Sequence, residues 1–374
     1  MEGPRTIAVA GAWGYIGRKV LDAAVALGAK VWALDPGPIP ADLDLTRVEV
    51  VTDEAAFYGL DASLFHLALH PQHRGPAFAR LLPRAATRPL LILCEKPMSE
   101  PERPADGNAA IAAIEATRAV VLYDFVELFD PLTHAILRFL SGFDRVELTE
   151  VHLLRSKDRE DPARPRNYKT MVHIQYQESV HCLAFLLNLA GHLAGDLEAV
   201  FAHGVKITAQ AQPYAPPNPQ AYPYVVDGCC DYRIELGRLR VEGRTDFKTG
   251  AEFTKRKIIR GVGDGRPFVI EADHFEGRKY LRIDGVGQGF PADSSSYTSI
   301  LTTLTDWDRS VDHDTLRRGI YPHPRFARLT YQLSSVLWRS CFDRCPISLA
   351  SMAELLAFEA GFAEAASQFP RYPG

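Results

Sequence analysis

The sequence predicts a two-part chain: an N-terminal doubly wound α/β domain on a parallel sheet, then an α+β domain on a large, predominantly antiparallel open sheet. Three observations carry this. Short apolar runs alternate with helical stretches as far as residue 125, the grammar of a parallel sheet wrapped by helices. Beyond about residue 145, apolar runs follow one another, several separated only by turns such as Leu236-Gly237-Arg238. That is the grammar of an antiparallel sheet with one buried face. A chain of 374 residues also exceeds what one compact core normally holds. The expected division is 1–125 and 126–374, with the C-terminal helices allowed to pack back on the first domain.

Thr6–Ala10 reads as a short strand. Gly11, Gly14 and Gly17 follow it, residues 18–27 keep helical periodicity, and a second strand, 31–34, ends at Asp35. Strand, glycine turn, helix, strand, acid is the Rossmann dinucleotide fingerprint. The glycines let backbone approach a pyrophosphate, which rests on the helix N-terminus. The spacing is Gly-x-x-Gly-x-x-Gly, which leaves Ala12 and Trp13 in the turn. The cofactor contacts expected here are Gly11, Trp13, Gly14, Tyr15 and Ile16. A carboxylate at Asp35 accepts from both ribose hydroxyls and repels a 2′-phosphate, and Pro36-Gly37-Pro38 offers no Arg to neutralise one. This favours NAD over NADP. Asp-Pro-Gly is also turn chemistry, so a turn-capping role stands beside the ribose role.

Residues 62–69 form the next apolar run, ending in His70-Pro71-Gln72-His73, with a helical stretch through Leu82. The run 90–93 stops abruptly at Cys94-Glu95-Lys96-Pro97-Met98. Ligands of open parallel sheets bind at the carboxyl ends of the strands, so Lys96 stands where a ligand should sit. The plainer alternative is a surface Lys just past a strand. A helix at 111–118 and a strand at Val120–Asp124 continue the alternation. Asp130-Pro131 then opens a helix with an N-cap acid and Pro at its first position. In the second part, strands are expected at 145–153, 199–210, 229–236 and 239–243, with others through Ile283. A helix is expected near 175–189, and helices near 325–341 and 348–367 close the chain.

Composition narrows the function classes. The formal net charge is -4 and no basic run suggests nucleic acid. No apolar stretch reaches membrane length, and Met1-Glu2-Gly3-Pro4-Arg5 does not read as a signal peptide. Six cysteines, at 94, 182, 229, 230, 341 and 345, show no zinc spacing, so they read as reduced thiols of a cytoplasmic protein.

With these pieces placed, the chain resembles the glucose–fructose oxidoreductase / inositol dehydrogenase / rhizopine catabolism (Gfo/Idh/MocA) family over essentially its whole length. Four matches carry the resemblance: the glycine turn; Leu69-His70-Pro71-Gln72-His73, one residue short of the usual pattern; Cys94-Glu95-Lys96-Pro97-Met98, the family's most specific signature; and Gln175 to Leu183, which holds the family histidine as His181. Cys345-Pro346 followed by Phe358-Glu359-Ala360 suits its closing helix. The resemblance implies a nicotinamide-dependent enzyme acting on a sugar, polyol or related hydroxy compound. It also implies homodimers or homotetramers built through the open sheet, and a cis Lys96–Pro97 bond. It adds His70, Pro71, His73, Glu95 and Lys96 to the cofactor contacts and makes Lys96 and His181 catalytic. Lys96, Tyr168, Gln177, Glu178 and His181 become the substrate contacts.

One departure stands out. The family's acid four residues before the histidine is Gln177 here, which does no ordinary acid–base work. Glu178, three residues before His181, is a neighbour on a regular helix. The glycine-rich lead-in is replaced by Met171-Val172-His173-Ile174. His173, Gln177 and His181 share one face if the helix starts early; otherwise His173 is a loop or helix-start histidine.

The chemistry follows from these groups. A hydride leaves a carbinol carbon while the hydroxyl proton passes to a base within hydrogen-bond reach. An imidazole suits that role near neutral pH. A Lys does so only if desolvation or a neighbouring positive charge lowers its pKa. The reading is that Lys96 orients the reacting oxygen and shares its proton, with His181 as the main acid–base group. Three functions stay open: an NAD-dependent dehydrogenase, a redox-neutral enzyme using tightly bound NAD transiently, and a non-catalytic dinucleotide sensor. Two segments are ambiguous. Residues 155–169 read as a solvated charged loop, with Arg166, Tyr168 or Lys169 reaching an anionic substrate as the alternative. Residues 211–224, rich in Pro and Tyr, read as an oligomer arm, a lid or a disordered stretch.

Overall fold

The computed structural model describes residues 5–161, 165–247, 254–275, 278–290 and 295–373. The chain forms two compact units, Met1–Asp130 with Ser294–Arg328, and Pro131–Asp293 with Leu329–Gly374.

The first unit holds six parallel strands: β1 (Thr6–Ala10), β2 (Lys30–Leu34), β3 (Val48–Val50), β4 (Leu64–Leu67), β5 (Leu91–Glu95) and β6 (Val120–Asp124). Their order, β3-β2-β1-β4-β5-β6, puts the switch point between β1 and β4, where such sheets bind ligands. Central strands read as unbroken apolar runs because both faces are covered; all four residues of β4 are buried. Four helices accompany them: α1 (Tyr15–Ala26), α2 (Glu54–Gly59), α3 (Arg74–Leu81) and α4 (Pro104–Glu115). Asp53 caps α2 by accepting from the Ala55 and Ala56 N–H groups, and α4 begins at Pro104, seven residues before the expected start.

Two helices that the sequence did not announce, Ser296–Ser310 and His313–Arg318, complete this unit. Each starts at a side-chain cap, Ser295 accepting from the Thr298 N–H and Asp312 from the Thr315 N–H. The first buries only a thin stripe, Ser299, Ile300, Leu301 and Leu304, too little apolar signal to stand out.

The second unit is built on nine strands: β7 (Val146–Ser156), β8 (Val205–Pro213), β9 (Asp227–Leu236), β10 (Leu239–Asp246), β11 (Lys255–Gly263), β12 (Arg266–Phe275), β13 (Arg278–Ile283), β14 (Val286–Gly289) and β15 (Ile347–Leu349). Their order is β14-β13-β12-β11-β7-β10-β9-β8-β15. The β7–β10 pair is parallel and the other pairs are antiparallel. One face is buried and the other carries cross-strand ion pairs such as Arg233–Glu242 and Arg260–Glu150. Its helices include α5 (Pro131–Leu140) and α6 (Val180–Ala194).

Two expectations need correction in this unit. The strand expected from residue 199 begins at Val205, after a short helix, Leu197–Val200. Gly204 turns the chain with φ +72°, and a Cβ there would lie 2.4 Å from the Leu349 carbonyl oxygen. The closing helix expected at 348–367 is instead β15 plus two short helices, Met352–Ala357 and Phe362–Ala366. Ile347, Ser348 and Leu349 pair with β8, Ser351 caps the first helix, and Gly361 at φ +63° separates it from the second. The Pro/Tyr segment 211–224 lies largely at the surface but anchors two rings. Tyr214 and Tyr222 are buried, and their hydroxyls donate to the Arg159 and Lys169 carbonyl oxygens at 2.8 and 3.0 Å. The ring area outweighs the polar hydroxyls once those find acceptors.

Candidate functional site

The first unit presents its chemistry at the carboxyl edge of the parallel sheet. Gly11 ends β1 at φ +74°, and a Cβ there would lie 2.6 Å from the Ala68 carbonyl oxygen. A Cβ on Gly17 would lie 2.1 Å from the Gly11 carbonyl oxygen. Glycine is required at both, for a left-handed turn and for the close seating of α1 against it. Gly14 enters α1 in extended backbone, and no side chain caps the helix, the arrangement in which first-turn N–H groups around Tyr15 and Ile16 take an anion. Asp35 closes the turn: Oδ2 accepts from the Trp13 N–H at 3.0 Å and Oδ1 from the Gly37 N–H at 2.8 Å. The turn-capping role is therefore filled, and each carboxylate oxygen retains a second acceptor site for a ribose hydroxyl. These residues fit a dinucleotide. A separate cavity of about 620 Å³, lined by Gly28–Lys30 and Leu45–Glu49, lies at the amino ends of β2 and β3, away from this edge.

Further along the edge, His70 is exposed and leads into a single turn, Pro71–His73. Its Nδ1 lies 3.4 Å from Glu100 Oε1, and His73 is exposed beside Gln72. Arg74 is buried. Its Nε donates to the Leu69 carbonyl oxygen at 3.0 Å and its Nη1 to that of Pro97, tying the His70 corner to the Lys96 corner. The Lys96–Pro97 bond is cis, as the family resemblance implied.

Beneath Lys96 lies a polar cluster that sequence reasoning missed. His66 is in β4, Glu95 ends β5 and Asp124 ends β6, with Glu95 and Asp124 directly opposite in the strand register. His66 Nε2 lies 3.1 Å from Glu95 Oε1. Burial pushes the His66 imidazole down to about 4, so it is neutral at ordinary pH. It then donates Nε2–H to Glu95. Burial pushes the Glu95 carboxyl up to about 7 against the pull of its Asp124 hydrogen bond and of Arg74 and Lys96. Burial raises Asp124 well above the usual carboxylate range, and the Glu95 charge adds to this. The available signal was a histidine and an acid inside otherwise apolar strands.

In the second unit, His181 lies in the first turn of α6 and is buried. The segment before it, Gln175–Ser179, is a π-helical turn. This wider turn breaks the four-residue spacing that a regular helix would give His173, Gln177 and His181. His173 does not join a common face with them. It is buried among aromatic rings, stacked on Tyr224 at 5.7 Å with Phe362 and Phe369 edge-on, and its Nδ1 accepts the Asp227 N–H at 3.1 Å. Gln177 is half-buried and Tyr168 is exposed. The Arg166 side chain lies outside the described residues.

Glu178, the acid expected beside the histidine, is 1% exposed and faces three cations from the end of β7 and the residues after it: Arg155 Nε at 2.8 Å, Lys157 Nζ at 3.2 Å and Arg159 Nη2 at 3.5 Å. It serves first as their counter-ion. Its burial excludes a solvent-facing role. Among the described residues no His, Cys, Asp or Glu group could hold a metal ion, and no helix is long and apolar enough to cross a membrane.

No protein-family model and no curated protein matches this sequence. Solved structures do. A myo-inositol dehydrogenase from Corynebacterium glutamicum superposes with TM-score 0.64 at 15% identity, covering 93% of this chain and 99% of that one. An oxidoreductase from Agrobacterium radiobacter in complex with NAD+, L-tartaric acid and magnesium gives 0.66 at 14% identity, covering 92% and 98%. The transcriptional regulator Gal80p from Kluyveromyces lactis gives 0.66 at 10% identity, covering 95% and 92%. The six-stranded parallel sheet and the nine-stranded mixed sheet together are thus the fold of the Gfo/Idh/MocA oxidoreductases and of the Gal80 regulators.

Proposed function

We propose that this protein is an NAD-dependent oxidoreductase that transfers a hydride between nicotinamide and the carbinol carbon of a sugar, polyol or related hydroxy compound. The observation that carries this reading is one sheet edge holding both a glycine turn shaped for a pyrophosphate and Lys96 at the end of β5. The likeness to an inositol dehydrogenase and to an oxidoreductase complexed with NAD+ supports the same class. When bound, NAD supplies the hydride acceptor. Gly11, Trp13, Gly14, Tyr15 and Ile16 seat the pyrophosphate, Asp35 takes the ribose hydroxyls and disfavours NADP, and His70, Pro71, His73 and Glu95 line the same edge. Lys96 orients the reacting oxygen and shares its proton, and His181 is the principal acid–base group. Tyr168 and Gln177 contact substrate by hydrogen bonding. A cytoplasmic homo-oligomer formed through the open face of the nine-stranded sheet completes the reading.

Gln177 in place of an acid favours a second reading, a dinucleotide sensor without catalysis, and the likeness to a transcriptional regulator suits a regulatory role. Adding NAD with a panel of polyols, sugars and hydroxy acids separates the two. The enzyme reading expects NADH to accumulate with at least one substrate. NAD that co-purifies without net turnover would support transient use of the cofactor, and NAD binding with no reduction by any substrate would support the sensor.

A further inference from the structure

Three adjacent parallel strands bring one titratable side chain each to the carboxyl edge of the sheet. His66 comes from β4, Glu95 from β5 and Asp124 from β6. His66 is fully buried, Asp124 is 4% exposed and the Glu95 side chain is 12% exposed. The residue after Glu95 is Lys96, and both carboxyls feel its charge. The other ionisable groups around them are Arg74, whose guanidinium is held by backbone carbonyls at Leu69 and Pro97, and the buried Cys94 and Tyr123, both kept neutral by burial.

Two neighbouring carboxyls in a dry site do not both ionise, because each charge raises the cost of the other. The fixed positive charges nearby are Arg74 and Lys96, and His66 adds none. We propose that Glu95 and Asp124 act as a one-proton carboxyl pair that holds a single negative charge beneath Lys96 and keeps its ammonium charged for orienting the reacting oxygen. Asp124, the more deeply buried partner, keeps the proton and donates it to Glu95. Glu95 carries the charge and accepts a second hydrogen bond from neutral His66, which makes the charged form of Glu95 easier to hold there. Glu95, Asp124 and His66 are positioning residues: they act through Lys96 and touch no reacting atom.

The inference rests on the reading of Lys96 above for its use in catalysis, but its test reads no turnover. Trace labelling of the full-length protein with acetic anhydride across pH, followed by peptide mass spectrometry, gives the pH midpoint of Lys96 acylation. Glu95→Gln leaves Asp124 to take the single charge, and Asp124→Asn leaves it on Glu95. Each single variant should therefore keep the Lys96 midpoint within about 0.3 unit. Glu95→Gln with Asp124→Asn removes the charge and should lower the midpoint by about one unit or more, the scale of losing an adjacent opposite charge. A comparable fall in either single variant would mean both carboxyls are ionised and would overturn the proposal. So would an unchanged midpoint in the double variant. Infrared spectroscopy of the unaltered protein is independent of whether the variants fold. A protonated-carboxyl band at neutral pH, lost in each single variant, is expected, and its absence from the unaltered protein would also overturn the proposal. If Lys96→Ala keeps normal turnover, the catalytic reading fails while these charge measurements stand.

Discussion

Each unit holds a glutamate in a dry site at its chemical centre, and the two carboxyls differ in what packs against them. Glu95 sits against a second carboxyl and a neutral imidazole, and its carboxyl is pushed up to about 7. Glu178, more deeply buried, sits against Arg155, Lys157 and Arg159 within 3.5 Å. Residue type is the same; desolvation raises the Glu95 carboxyl against the pull of Arg74 and Lys96, whereas three close cations make Glu178 their counter-ion. Both stand one position from a residue of proposed function, Lys96 and Gln177. Sequence adjacency therefore says little about which acid serves the chemistry.

The largest expected effect breaks the second environment. Glu178→Ala leaves three cations around an empty site and should cost about 3–5 kcal/mol, the range for removing one partner of a buried ion pair. Urea unfolding followed by circular dichroism reads this as a lower midpoint. Glu95→Gln keeps its hydrogen bonds and removes a charge from a site that resists it, so its midpoint at pH 7 should not fall comparably. Equal losses in the two variants would erase the contrast drawn here.

The next effect sharpens the first environment through pH. The Glu95 carboxyl rises from an ordinary 4.5 to about 7 on folding. Between those values the folded state holds a proton that the unfolded state has lost, so stability falls as pH rises through the window. The His66 imidazole drops from 6.5 to about 4. There the unfolded state holds the extra proton, so stability rises with pH from about 4 to 6.5. The two slopes oppose each other between pH 4.5 and 6.5. His66→Gln should steepen the decline in stability between pH 4.5 and 7, and Glu95→Gln with Asp124→Asn should flatten it. Unfolding midpoints collected across that range decide the matter; parallel curves for all three proteins would remove the titrating pair.

A smaller effect concerns the cofactor. Asp35 should make NAD bind at least about tenfold more tightly than NADP, equivalent to 1.4 kcal/mol. Calorimetric titration of both nucleotides tests it. Equal affinities would leave Asp35 with its turn-capping bonds to Trp13 and Gly37 alone.

Much of the first unit was legible in the sequence because its signals are local. β1 and β6 match the expected spans to the residue, since each apolar run is bounded by a turn or an acid. The glycine turn was legible because steric demand at Gly11 and Gly17 admits no side chain. The helices Ser296–Ser310 and His313–Arg318 were not, because they bury few apolar side chains. The cluster under Lys96 needed strand register: His66, Glu95 and Asp124 are far apart in sequence and meet only when β4, β5 and β6 align. The π-helical turn before α6 was likewise invisible, since nothing in Gln175-Tyr176-Gln177-Glu178-Ser179 distinguishes it from a regular helix start. That turn is why the four-residue spacing of His173, Gln177 and His181 misled.

The central claim is that Lys96 at the end of β5 takes part in a nicotinamide-dependent reaction. Turnover and NAD affinity measured on one preparation of Lys96→Ala test it most directly. The account predicts kcat lowered about a hundredfold or more, the scale of one acid–base group, with the NAD dissociation constant changed only a few-fold. Near-normal turnover in that variant on a substrate the unaltered protein oxidises would contradict it.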